Sequence, residues 1–166
     1  VFPKYNLAWS NGFTWKGIRL KALIKARIGG IVYSATQAAM DYYGVSEASA
    51  AARDAGGVTV NGRSRIDPQT WYSAVSSQNG LPQYYTYSAT NVRLAELSVG
   101  YTLPRKWFRN VCAVNVAFVG SNLWMIYNKA PFDPEAVATT GNYYQGIDYF
   151  MMPSLRSLGF NVKLTF

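Results

Sequence analysis

The closing ten residues, Ser157-Leu158-Gly159-Phe160-Asn161-Val162-Lys163-Leu164-Thr165-Phe166, constrain this chain more than any other stretch. Leu158, Phe160, Val162, Leu164 and Phe166 fall on one face of a strand, and Ser157, Gly159, Asn161, Lys163 and Thr165 fall on the other. In a water-bathed sheet the apolar face would meet a core, whereas in an outer-membrane barrel it would meet lipid and the polar face would line the lumen. Alternation alone allows both. Gly159, Phe160, Val162, Leu164 and the aromatic Phe166 on which the sequence ends match the way closing strands of outer-membrane barrels finish, so the expectation is a transmembrane strand.

Composition supports that choice. Aromatic residues make up 16% of the 166, with 13 Tyr and 5 Trp, and only 14% are charged, against about 25% in an average water-soluble domain. Tyr and Trp settle where an apolar medium meets a wet one. No apolar run is long enough for a spanning helix, so any membrane span must consist of strands. The net charge of +8 would suggest nucleic acid or an anionic surface on a soluble protein. The placement argues against nucleic acid, because Lys16, Arg19, Lys21, Lys25 and Arg27 follow a strand pattern. Cys112 is the single cysteine, which excludes an internal disulfide, and it reads as a small apolar residue at the start of a strand.

Five strands are expected, over about 4–14, 17–33, 92–103, 112–127 and 154–166. In the first, Tyr5, Leu7, Trp9 and Phe13 alternate with small or polar residues. In the second, Ile18, Leu20, Ala22, Ile24, Ala26 and Ile28 oppose Arg19, Lys21, Leu23, Lys25 and Arg27, and Gly29-Gly30 permits a kink before Ile31. Leu97, Val99, Tyr101 and Leu103 mark the third, and Val114, Val116 and Phe118 the fourth. Between them, 34–91 and 128–153 lose the alternation and read as two long excursions. Within the first, 35–43 and 46–55 suit short helices, the latter with Ser46 as N-cap.

Short turns thus alternate with long loops, the pattern of bacterial outer-membrane barrels, whose long loops are extracellular. Five strands cannot close a barrel, since open edges in lipid would leave backbone groups unpaired. The expectation is therefore the C-terminal part of a larger wall, with no plug domain in these residues and a periplasmic C-terminus.

Several motifs, in order, resemble one family. They are Phe2-Pro3-Lys4-Tyr5-Asn6, Gly29-Gly30-Ile31-Val32-Tyr33-Ser34, Val92-Arg93-Leu94, Leu97-Ser98-Val99-Gly100-Tyr101-Thr102-Leu103-Pro104, Gly120-Ser121-Asn122-Leu123-Trp124, Phe132-Asp133-Pro134-Glu135 and Pro153-Ser154-Leu155-Arg156-Ser157. Together they resemble the SusC/RagA-like TonB-dependent transporters of the Bacteroidetes outer membrane. The resemblance implies the last five antiparallel strands of an all-β, about 22-stranded transmembrane barrel. It implies as partners the rest of the barrel and its plug, TonB acting through the plug, outer-membrane lipid, and a SusD-like surface lipoprotein as lid. The implied function is import of oligosaccharides or peptides. The competing expectations are a scaffold barrel in which transport is lost and, with least support, a soluble Tyr-rich binding domain.

Enzymatic chemistry is not expected. The sequence has no His, which removes imidazole bases and zinc sites built on them, and it contains no phosphate-binding glycine loop. Neither a metal nor a cofactor is expected; Asp133 and Glu135 flank Pro134 as a turn would, although such a pair can also bind calcium. Tyr84, Tyr85, Tyr87, Tyr143, Tyr144 and Tyr149 are candidates for contact with cargo or lid, or else belong to an aromatic belt or loop core. Arg19, Lys21, Lys25, Arg27, Glu96 and Asn115 are candidates to face lumen or plug, whose polar surface needs partners.

Overall fold

The computed structural model describes every residue except Arg63, Arg109, Asn110, Thr139, Thr140, Asn142, Tyr143 and Phe166. The chain runs through strands β1 (Tyr5–Trp15), β2 (Ile18–Ile28) and β3 (Ile31–Ser34), then helices α1 (Ala35–Tyr42) and α2 (Glu47–Asp54). Short strands β4 (Val58–Val60) and β5 (Ser64–Ile66) precede α3 (Pro68–Val75) and β6 (Thr86–Ser88). Then come β7 (Asn91–Thr102), β8 (Ala113–Asn128), β9 (Ile147–Asp148) and β10 (Ser157–Thr165). Two compact units result: a sheet unit of Phe2–Gly30, Ala89–Asp133 and Pro153–Phe166, and an excursion unit of Val1, Ile31–Ser88 and Pro134–Met152.

The sheet unit is one antiparallel sheet in the order β1-β2-β7-β8-β10. Directly opposed residues of an antiparallel pair share a face, so the register sorts the side chains. Phe13, Leu20, Val99, Phe118 and Phe160 form one continuous row across all five strands. Trp15, Ile18, Tyr101, Val116 and Val162 form the next. This apolar face is open, with Trp9, Phe13 and Phe160 each more than half exposed.

Two local features hold the register. The β1–β2 hairpin turns on Lys16 and Gly17, both at positive φ, as a two-residue hairpin requires. A Cβ at Gly17 would meet the Thr102 carbonyl oxygen at 3.2 Å, and the Thr102 N–H donates to the Gly17 carbonyl at 2.8 Å, so this turn is fastened to the end of β7. Along β7, the β2 register shifts between Leu23 and Ile24, which pair with Glu96 and Leu94, leaving Ala95 as a bulged residue. The bulge reverses parity, so Val92 and Leu94 join Leu97, Val99 and Tyr101 on the apolar face.

Two strand boundaries differ from the sequence expectation by more than one residue. The strand expected over 17–33 stops at Ile28, because Gly29 and Gly30 adopt φ of 83° and 81°, and Ile31–Ser34 pair instead with β6 and β9. The last strand begins at Ser157 rather than 154, where pairing with β8 begins at Ser121. In the first excursion a third helix, α3, and strands of two small sheets accompany the two expected helices, and β9 of the second excursion completes one of those sheets.

The excursion unit is built on caps and a small core. The Ser34, Ser46 and Asp67 side chains accept from the N–H groups of Gln37, Ser49 and Thr70, capping α1, α2 and α3, and Pro68 fits the first turn of α3 because it has no N–H to satisfy. Ala38, Val75 and Tyr85 are buried together, with Tyr33 and Trp71 packed against them. Strand β3 pairs antiparallel with β6 and parallel with β9, so segments from both excursions share one sheet.

Candidate functional site

The second face of the sheet unit collects the charged residues. Arg19 lies in register with Thr14 and Gly100, Lys21 with Gly12 and Ser98, Lys25 with Ala8 and Arg93, and Arg27 with Asn6 and Asn91. Small or polar neighbours leave these cations room to extend. Glu96 pairs with Leu23 and Ser121 on the same face. Asn115 is opposite Thr102 and Lys163 and donates from Nδ2 to Thr102 Oγ1 at 2.8 Å. All six residues expected to face lumen or plug therefore share one face.

Arg93 organises one end of this face. Its Nη2 donates to Asp133 Oδ1 at 2.7 Å, and both side chains are over nine-tenths buried. Its Nη1 reaches Ser154 Oγ at 3.3 Å, while the Ser154 N–H donates to Asp133 Oδ2 at 3.1 Å. One guanidinium thus joins β7 to the segment after β8 and to the segment before β10. Asn128 Nδ2 adds a bond to the Phe132 carbonyl at 2.7 Å, and Pro134 is fully buried. Within the Phe132-Asp133-Pro134-Glu135 motif, Asp133 is therefore a structural anchor. Its engagement with Arg93 leaves it poorly suited to calcium, and among the described residues no group of three acidic, His or Cys side chains is placed to hold a metal. Glu135 is exposed. Cys112 is a free, partly buried thiol just before β8.

The excursion unit holds two buried polar pairs. Ser34 Oγ donates to Asp148 Oδ2 at 2.7 Å, linking β3 to β9. The Asp41 carboxylate accepts from Tyr85 OH at 2.9 Å and from Gln37 Nε2 at 3.0 Å. Burial pushes the Tyr85 phenol far above its ordinary 10.0, and the hydrogen bond to Asp41 and that residue's charge act in the same direction. Tyr72 and Tyr87 are also raised, chiefly by burial.

Beside Asp41 lies a cavity of about 190 Å³ whose lining includes Tyr42, Tyr43, Arg53, Gln69 and Tyr72. The Arg53 Nη1 donates to the Gly44 carbonyl at 2.8 Å, which holds the guanidinium near the aromatic rings. A carboxylate, a guanidinium and tyrosines together suit a polar, neutral or dipolar ligand.

The tyrosine candidates separate by burial. Tyr85 is 1% exposed and belongs to the core of the excursion unit, the loop-core alternative, and so is not a contact candidate: its hydroxyl is held by the buried Asp41. Tyr84 is exposed and packs edge-on against Tyr85; Tyr87 is half-buried. Tyr144 and Tyr149 are exposed, the latter edge-on to Phe150. Tyr143 and the final Phe166 lie outside the described residues. Sequence reasoning missed Asp41, Ser34 and Asp148, whose partners lie far apart in the chain, and it did not give Arg93 its role. Arg93 carried one local signal, an arginine between Val92 and Leu94 near the start of a strand.

No protein-family model matches the chain. TonB-dependent receptor P3 of Formosa agariphila is 24% identical over 171 residues, covering 97% of this chain and 16% of that receptor. The RagAB peptide importer in its open-open state superposes with a TM-score of 0.70 at 22% identity, covering 100% of this chain and 17% of the matched one. In its closed-closed state the TM-score is 0.67 at 19% identity, covering 99% and 17%. The chain thus spans about one sixth of the length of the relatives it matches, and it has the fold of a segment of the RagA barrel. The resemblance to SusC/RagA-like TonB-dependent receptors, read from motifs, is shown by this sequence match and these superpositions together.

Proposed function

We propose that this chain is part of the wall of an outer-membrane barrel of SusC/RagA type that imports oligosaccharides or peptides. The carrying observation is the five-stranded sheet, which carries two continuous apolar rows across all five strands on one face and gathers its cations on the other. A face with Trp9, Phe13 and Phe160 more than half exposed exceeds what water tolerates on a monomer and suits contact with lipid. The opposite face then lines the lumen, where Arg19, Lys21, Lys25 and Arg27 meet the polar surface of a plug. The excursions lie outside the cell and the short turns at Lys16-Gly17 and 103–112 on the periplasmic side.

In this reading the protein moves cargo without covalent chemistry. Energy comes from TonB through a plug, and a SusD-like lipoprotein caps the extracellular side, as the pairing named in the RagAB importer supports. Exposed Tyr84, Tyr144 and Tyr149 contact cargo or lid.

The test is uptake by a strain that lacks the complete protein. Accumulation of at least one class of large glycan or peptide should fall, and it should fall equally when TonB is removed. Unchanged uptake of every such cargo would defeat the import reading and favour a scaffold barrel.

A further inference from the structure

The Pro153-Ser154-Leu155-Arg156 segment has a part that transport does not use. Pairing between β8 and β10 ends at Ser121 and Ser157. Beyond that point Asn122 takes a positive φ, and its Nδ2 donates to the Leu155 carbonyl at 3.2 Å. The strands part there around a cavity of about 290 Å³, lined among others by Arg93, Asn122, Trp124, Asp133, Ser154 and Arg156. Arg93 and Asp133 neutralise each other. Arg156 is exposed and, among the described residues, makes no hydrogen bond or ion pair. The cavity therefore keeps one free positive charge.

Its position matters as much as its charge. Arg156 immediately precedes β10, at most about 6.6 Å of chain from Leu158, the first residue of that strand's apolar face. Trp124, on the same side, is in register with Leu94 of the apolar face and is 64% exposed. A tryptophan beside an unpaired arginine at the border of an apolar band is the chemistry that meets a lipid headgroup, the indole at the interface and the guanidinium forking onto phosphate oxygens.

We propose that this notch binds the phosphate headgroup of an outer-leaflet glycolipid, with Arg156 as the anion-binding residue and Trp124 beside it at the headgroup level. The site rests on the membrane placement argued above and adds a ligand distinct from the cargo.

The complete barrel, extracted in detergent, is titrated with lipid A, with lipid A stripped of its phosphates, and with inorganic phosphate as competitor, and the adducts are counted by native mass spectrometry. Wild-type protein should take up lipid A, prefer it about tenfold over the stripped form, and lose a similar factor in Arg156→Gln, as expected for a charge-assisted bond. Arg156→Lys should recover part of the loss. Heat-modifiable migration checks that each variant is folded, and the comparison of the two lipids needs no variant at all. Equal binding of the stripped lipid, or an unchanged affinity in folded Arg156→Gln, overturns the site. Displacement by equimolar phosphate makes it a free-anion site and overturns the lipid assignment. A barrel recovered in the soluble fraction would instead defeat the membrane reading beneath it.

Discussion

The two units place the same residue types in opposite settings. Tyr5 in the sheet unit is 62% exposed, while Tyr85 in the excursion unit is 1% exposed. In the sheet unit the large apolar side chains point out along an open face, and polar residues gather on the other. In the excursion unit Ala38, Val75 and Tyr85 close inward, and the buried carboxylates are paired: Asp41 with Tyr85 and Gln37, Asp148 with Ser34. The difference teaches that alternation specifies which residues share a face, whereas the surrounding medium decides which face is the outside. Both units pair the charges they bury, Arg93 with Asp133 in the sheet unit and Asp41 with Tyr85 in the excursion unit, because an unpaired buried charge is costly in either.

Substitutions in both units can break or sharpen that contrast. Arg93→Ala removes one partner of a buried ion pair and strands Asp133, at a cost of about 3–5 kcal/mol. Thermal denaturation of the complete barrel should show the loss, and protease cleavage within 128–153 should accelerate. Arg93→Met combined with Asp133→Leu should be milder than either single change; if it is worse, the pair acts through more than its mutual charge.

Phe118→Arg puts a cation in the middle of the five-residue apolar row, where a lipid-facing charge costs about 2–4 kcal/mol. Ser98→Arg, on the opposite face, should assemble normally. Comparable yields of heat-modifiable barrel for both would erase the distinction between the faces.

Tyr85→Phe takes a hydrogen bond from the buried Asp41 carboxylate, at about 1–3 kcal/mol, and hydrogen exchange in α1 should quicken. The pH dependence has a definite sign. The folded phenol titrates above the unfolded value of 10.0, so its contribution is complete below pH 10 and is lost as pH rises beyond it. Alkaline loss of exchange protection in α1 should therefore be smaller in Tyr85→Phe; an identical alkaline profile would sink the assignment. Smallest is Ser46→Ala, which removes the α2 cap for about 1 kcal/mol and should be read as fraying of α2 alone, with the strands untouched.

Legibility in the sequence followed the period of each segment. β1, β2, β10 and β8 up to Ser121 repeat every second residue, and their faces follow directly from that repeat; beyond Ser121 the pairing of β8 with β7 slips. β7 was legible only in part, because the bulge at Ala95 shifts the alternation, and counting from Leu97 upward puts Arg93 on the wrong face. Helices α1 and α2 were readable from composition and, for α2, from Ser46. Helix α3 was signalled by Asp67-Pro68 but was hidden among turn residues. The excursion site was the least legible. Asp41 meets Tyr85 across 44 residues and Ser34 meets Asp148 across 114, and no local pattern encodes a partner that far away. Tyr85 illustrates the cost: three tyrosines in four positions looked alike in sequence, yet only the geometry of Asp41 separates the buried one from the exposed Tyr84.

The fastening of the Lys16-Gly17 turn to Thr102 bears on the order in which the wall is laid down. β1 and β2 are neighbours across two residues, and β7 and β8 across ten, so each hairpin closes at little entropic cost. Joining β2 to β7 must close the segment 29–90, and pairing β8 with β10 must close 129–156. Those steps wait on rarer encounters. Once β2 and β7 meet, the Gly17 carbonyl and the Thr102 N–H give the docked hairpins a latch at the turn end, so the sheet should zip from the short connections toward the long ones.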